Sequence, residues 1–289
     1  MPKFIKLSLG MIAVILVAAS CKPEKLKVIE SEPLGSLFII GGGPRPDILA
    51  ERMIEESGLK DGGYIVILPM ASEVPDSAIF WSSEQFLNQG ITAISGFNFS
   101  SGKPVCPIKI DSLSMASLIF ISGGDQSRFM EIVRNTPIHQ AIKDAYQNGA
   151  MIAGTSAGAA MMSQKMITGD QGRHEEYTPT YRVIENENID LADGLGLIST
   201  AIIDQHFVWR SRHNRLITAV LEYPELPGIG IDESTAILVK GNTAEVVGVS
   251  QVIVFRNPKK SRKDLNEKIG GYDLTLDVFL PGDIFEIVK

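Results

Sequence analysis

Four short apolar runs, each stopped by glycine or proline, frame this chain. Residues 37–40 (Leu-Phe-Ile-Ile) run into Gly41-Gly42-Gly43, and 65–68 (Ile-Val-Ile-Leu) into Pro69. Residues 118–121 run into Ser122-Gly123-Gly124, and 150–153 into Gly154. Unbroken apolar runs of this length are the pattern of strands buried on both faces. Between them the spacing turns helical. Residues 47–57 carry Ile48, Leu49, Met53 and Ile54, and residues 77–88 carry Ile79, Phe80, Phe86 and Leu87. Residues 137–148 open on Pro137, which suits a first helical turn, and stop at Gly149. Strands alternating with helices predict an α/β three-layer sandwich whose mostly parallel sheet is flanked by helices.

The rhythm changes after about Leu195. Apolar stretches at 229–231, 236–239, 244–249 and 252–255 crowd together, with a turn signal at Lys240-Gly241-Asn242. They predict antiparallel strands toward the C-terminus, finishing one side of the sheet. Residues 257–271 hold Lys259, Lys260, Arg262 and Lys263, and are expected to form a solvated hairpin loop rather than a docking patch. Two final strands are expected within 273–288.

The first residues have a different character. Lys3 and Lys6 precede the nearly continuous apolar stretch 7–19, and Ala18-Ala19-Ser20 leads into Cys21. This predicts a signal peptide over 1–20, too short for a lasting membrane helix. Cys21 is then the expected lipidation site of a bacterial lipoprotein, with 21–34 a polar tether and 35–289 a single domain. The expected location is the bacterial cell envelope, with the membrane reached through the lipid anchor. Cys106 is the other of the 2 cysteines, so the mature domain cannot form an internal disulfide and must rest on its core. A net charge of -7 argues against nucleic acid as a partner.

The strongest chemical signal is Gly154-Thr155-Ser156-Ala157-Gly158, between an apolar strand and the small-residue helix start Ala159-Ala160. A sharp strand-to-helix turn lifts a serine hydroxyl clear of the sheet and admits only small neighbours. The Ala157 N–H then sits at a helix start, placed to hold an oxyanion. A serine hydroxyl needs a base. Of the 4 histidines, His139 lies on a polar helix face and is expected to be exposed. His174 sits among charges, beside Glu175 and Glu176, whereas His206 ends the run beginning at Leu197, in Asp204-Gln205-His206-Phe207. Position alone leaves His206 open as either a base or a core histidine. An acid should orient the imidazole. Asp232 and Glu233 both follow the strand 228–231, and alternation along a strand should turn only one of them to the site.

Five segments together resemble the cyanophycinase branch of the family that also holds bacterial aspartyl dipeptidases. They are Gly123-Gly124-Asp125-Gln126, the elbow 154–159, Asp204-Gln205-His206-Phe207, the trio Arg210, Arg212 and Arg215, and residues 230–236. The resemblance implies a class I glutamine amidotransferase-like fold and a Ser–His–Glu triad, which falls on Ser156, His206 and Glu233. It also implies hydrolysis of aspartyl bonds in cyanophycin, a polyaspartate with arginine on each side chain, releasing β-aspartyl-arginine. Gly124 would join Ala157 in the oxyanion hole. Gln126, Asp204 and Gln205 would line the pocket, with Asp204 near a substrate guanidinium or amine. Arg210, Arg212 and Arg215 would bind substrate carboxylates. No cluster has metal-ligand spacing, and the loop at Gly41 lacks a dinucleotide fingerprint, so no cofactor is expected. A homodimer is compatible with this reading. Two rivals remain: a dipeptidase acting on short aspartyl or isoaspartyl peptides, and a peptide-binding surface lipoprotein that kept the fold without catalysis.

Overall fold

The runs stopped by glycine and proline become the centre of the main sheet. A computed structural model describes residues 32–174, 176 and 178–289, and residues 32–289 form one compact unit. The predicted signal peptide and Cys21 lie outside the described residues. Strands β1 (Ser36–Ile40), β2 (Ile65–Leu68), β3 (Ile94–Gly96), β4 (Leu118–Ile121) and β5 (Met151–Thr155) are parallel, in the order β1-β5-β4-β2-β3. Every residue of β1, β2, β4 and β5 is buried.

Alternation in β1 shows why such a run must be apolar throughout. Phe38 and Ile40 enter a core with Leu49, Met53 and Ile54 of α1 (Asp47–Glu56) and Phe86 of α2 (Pro75–Leu87). Leu37 and Ile39 face the opposite core. That second core takes Leu113 of α3 (Pro107–Ser114), Phe129 and Val133 of α4 (Gln126–Val133), and Ile138 and Ile142 of α5 (Pro137–Gln147). A polar residue on either face would lose its hydration without a partner.

The C-terminal half departs from the expected arrangement. Only β10 (Thr235–Lys240), β11 (Thr243–Gly248) and β16 (Ile284–Glu286) extend the main sheet antiparallel beyond β1, giving eight strands. The stretches 229–231 and 252–255 instead build a second sheet. In it β8 (Ile202–Asp204) runs parallel to β9 (Gly228–Ile231), followed by β12 (Val252–Arg256) and β15 (Thr275–Phe279). Local spacing could not separate the two sheets, because Ile229 and Val254 bury into the same core that receives Leu37 and Ile39. Helix α7 (His213–Glu222) covers the other face of this sheet, packing Leu216 and Val220 with Phe207 and Phe255. The short helix α6 (Ala157–Ala160) follows β5, and β6 (Lys165–Gln171) pairs antiparallel with β7 (Ile189–Asp193). The basic stretch forms the hairpin β13 (Lys263–Leu265) and β14 (Lys268–Gly270), with Lys259 paired to Asp273 and Arg262 to Asp264. Among the described residues, no helix is long and apolar enough to cross a membrane.

Candidate active site

The site lies at the C-terminal ends of β1, β5, β8 and β9, the usual ligand-binding edge of an open α/β sheet. At the end of β5 the chain turns sharply through Ser156, which adopts φ 56° and ψ −111°. Such a backbone costs a non-glycine residue about 1–3 kcal/mol, which the surroundings must supply. They do so through Ser156 N–H, which donates to Ile40 O at 3.0 Å. The flanking glycines permit close packing: a Cβ on Gly154 would stand 2.5 Å from Gly158 O, and one on Gly158 2.5 Å from Ile121 O.

Beyond β8, His206 takes φ 48° and turns its ring toward Ser156. Ser156 Oγ and His206 Nε2 are 2.8 Å apart, and His206 Nδ1 and Glu233 Oε1 are 2.5 Å apart. With the ring proton on Nδ1, donated to Glu233, Nε2 is free to accept from the serine hydroxyl. Hydroxyl, imidazole and carboxylate thus stand in series, the arrangement that base-assisted nucleophilic attack requires. Burial holds the His206 pKa below its usual value. The charges of Arg210 and Arg212 push the same way, against the opposing effect of the Glu233 carboxylate.

The other acid of the pair goes elsewhere. Asp232 Oδ1 accepts from the amides of Val208 and Trp209, at 3.0 and 2.9 Å, and Oδ2 accepts from Ser250 Oγ at 2.6 Å. The glycine loop after β1 forms the wall behind the ring. A Cβ on Gly42, at φ 117°, would stand 2.3 Å from His206 Cε1, and one on Gly43 would stand 2.7 Å from Glu233 Oε2. The sequence marks this loop as a strand end expected to border the cleft, but not as the wall against the imidazole. Its side-chain-free surface is a signal that becomes readable once its neighbour is known.

Gly123 lies against the elbow, where an added Cβ would be 3.3 Å from Ser156 Cβ. Among the described residues, the amides of Gly124 and Ala157 make no hydrogen bond to the protein, so both can donate to a ligand. Asp125 caps α4 by accepting from the amides of Ser127 and Arg128.

The expected substrate-binding set is divided by burial. Asp204, 1% exposed, forms a bidentate ion pair with Arg215, 5% exposed. Asp204 is therefore not an open receptor for a substrate guanidinium, and the Arg215 charge is compensated within the protein. Arg212 is also buried and donates from Nη1 to the main-chain and side-chain oxygens of Gln205, both at 2.9 Å. Gln126 is buried and donates to the carbonyls of Ile167 and Thr168. Arg210 alone of the arginine trio is partly open to solvent. Of the other histidines, His139 is half-buried rather than exposed, with Nε2 2.9 Å from Leu195 O. His174 pairs with Glu185. Among the described residues, no group of three or more His, Cys, Asp or Glu is gathered as a metal site.

The model of peptidase family S51 matches residues 37–247, which contain Ser156, His206, Glu233 and the glycine loop after β1. A cyanophycinase from Nostoc sp. is 37% identical over 234 residues, covering 78% of this chain and 76% of its own length. A cyanophycinase from Synechococcus elongatus is 33% identical over 258 residues, covering 85% and 77% respectively. Among solved structures, a peptidase from an acI-B1 Actinobacterium superposes with a TM-score of 0.63 at 24% identity, covering 88% of this chain and 98% of its own.

Proposed function

The chain belongs to peptidase family S51, and from that premise we propose that it is an exported, lipid-anchored serine peptidase that cleaves aspartyl bonds in a cyanophycin-like polymer. The observation that carries the reading is the continuous Ser156–His206–Glu233 hydrogen-bond series. In this mechanism His206 Nε2 takes the hydroxyl proton as Ser156 Oγ attacks the aspartyl carbonyl carbon. The amides of Ala157 and Gly124 hold the developing oxyanion, and Glu233 stabilises the imidazolium. His206 then protonates the leaving amine. Water, deprotonated by the same imidazole, releases the acyl group and restores the serine.

The named activity of the cyanophycinase relatives supports a polyaspartate with arginine side chains as substrate. Arg210 is the cation we assign to substrate carboxylates, because it is partly open and acts electrostatically on His206. The buried Asp204–Arg215 pair, Arg212, Gln205 and Gln126 shape the pocket from behind. Export and lipidation rest on the apolar stretch 7–19 and on Cys21.

The test is to incubate the protein with cyanophycin and with a panel of aspartyl and isoaspartyl dipeptides, and to identify products by mass. β-Aspartyl-arginine is the expected product. Cleavage of short peptides alone would make it a dipeptidase, and binding without cleavage would make it a binding protein. Ser156→Ala should abolish hydrolysis while shifting stability by about 1 kcal/mol or less, since it removes one hydroxyl from a turn built for small residues. Residual hydrolysis above a trace would exclude Ser156 as the nucleophile.

A further inference from the structure

His206 is held in a left-handed backbone conformation, at φ 48°, which a non-glycine residue keeps only where its surroundings fix it. The contacts that fix it are identifiable. His206 N–H donates to Gly41 O at 2.7 Å, and Phe207 N–H donates to Ile231 O at 3.2 Å. The next two amides, of Val208 and Trp209, both donate to Asp232 Oδ1. Arg210 N–H then closes the turn onto His206 O at 3.0 Å. The turn that leaves His206 is thus capped by one carboxylate gathering two N–H groups, as an N-cap side chain does for a helix. Ser250 Oγ, from the β11–β12 connection, fixes that carboxylate by its other oxygen.

Asp232 and Glu233 are neighbours in sequence and divide one task. Glu233 orients the imidazole through Nδ1, and Asp232 fixes the main chain from which that imidazole projects. We propose that Asp232 is a positioning residue for the base. Its carboxylate locks the 206–210 turn so that His206 Nε2 stays within reach of Ser156 Oγ. This rests on the triad reading given above. The Asp232 carboxylate is engaged by the Val208 and Trp209 amides and by Ser250 Oγ rather than by serine or imidazole, so its effect passes through the geometry of His206. Asparagine keeps the oxygen that accepts both amides, whereas alanine removes it.

The experiment uses the full chain and a fluorophosphonate probe, which reports attack by Ser156 without a peptide substrate. The second readout is the low-field proton resonance between His206 Nδ1 and Glu233. Asp232→Ala should label about 10²-fold more slowly than the parent, as expected for a base displaced by about an ångström, and should lose the low-field resonance while thermal unfolding remains cooperative. Asp232→Asn should recover most of the rate and the resonance, and Ser250→Ala should slow labelling several-fold. Parent-like labelling and resonance in Asp232→Ala would overturn the proposal. So would an Asn variant as slow as the Ala variant, because the charge and not amide capture would then matter. If Asp232→Ala does not fold, the other two decide: retention in Asn with slowing in Ser250→Ala supports the proposal, and any other pattern overturns it. Failure of the parent to label at Ser156 would sink the triad reading itself, whatever the Asp232 series shows.

Discussion

At the scale of single residues, the titration of His206 gives the sharpest handle. A base must be neutral to accept the serine proton, and burial already favours the neutral ring. The sign is fixed by the direction of the shift. With a folded pKa below the usual value, the free base persists to lower pH, so the acid limb of kcat/KM should lie below that of an exposed histidine. Stability follows the same linkage. It is unaffected above the unfolded pKa and falls as pH drops from there toward the folded pKa, because the unfolded chain takes the proton first. The Arg210 charge lowers the His206 pKa, so Arg210→Met should move the acid limb upward. An unmoved or lowered limb would show that Arg210 does not act on the base. The choice between the two acids was not legible in the chain. Alternation along a strand predicts one acid facing in and one facing out, but β9 ends at Ile231 and Ser234 takes φ 56°. Asp232 and Glu233 therefore lie past the strand, where alternation no longer applies, and both turn to the segment that carries His206.

At the scale of elements, what could be read was whatever depends on local pattern. The buried strands are unbroken apolar runs, and α1, α2 and α5 follow the spacing of their apolar residues. The Gly154–Gly158 spacing marks the strand-to-helix turn because both glycines lie against backbone oxygens. What could not be read depends on contacts across the fold: which sheet β9 and β12 join, and which arginines are buried. Arg215 illustrates the second point. The family resemblance assigns it to substrate, but the structure pairs it with Asp204. Arg215→Met should therefore lower stability by about 3 kcal/mol, because it leaves the buried Asp204 carboxylate with only the more distant Arg212, 3.9 Å away, as a cation. Adding Asp204→Asn should restore part of that loss, as measured by urea unfolding. Unchanged stability with a raised KM for aspartyl substrates would return Arg215 to the substrate. The glycine loop after β1 carries the complementary case. Gly42→Ala places a methyl where the His206 ring stands and does so at φ 117°. The ring must leave its position, so kcat should fall by about 10²-fold or more, and thermal unfolding should shift downward as well because alanine is strained at this φ. Parent-like turnover would mean that the loop can retreat from the ring.

At the scale of the whole molecule, the chain's point of entry and its site lie at opposite ends of one strand. Leu34 and Gly35 are fastened by their amides to Gln147 O and Tyr146 O, just before β1 begins at Ser36. The strand then crosses the main sheet and delivers the glycine loop to His206 and Glu233. Five residues of parallel strand span about 17 Å, so a tether attached before Ser36 joins the domain away from the triad. The 14 residues of the predicted tether, 21–34, could reach about 50 Å if fully extended. Cys106 is an exposed free thiol, and the cores on the two faces of the main sheet supply the stability. Location and catalysis should therefore be separable. Cys21→Ser, expressed as the full chain in a bacterial host, should shift the protein from the membrane fraction to the soluble fraction. The hydrolysis rate per molecule should stay within about twofold of the parent, since Cys21 belongs to none of the segments that build the site, and transition-state contacts and base geometry are unchanged. If the variant remains in the membrane fraction, Cys21 is not the anchor. If it is released but loses activity, attachment contributes to the site and the separation argued from β1 fails.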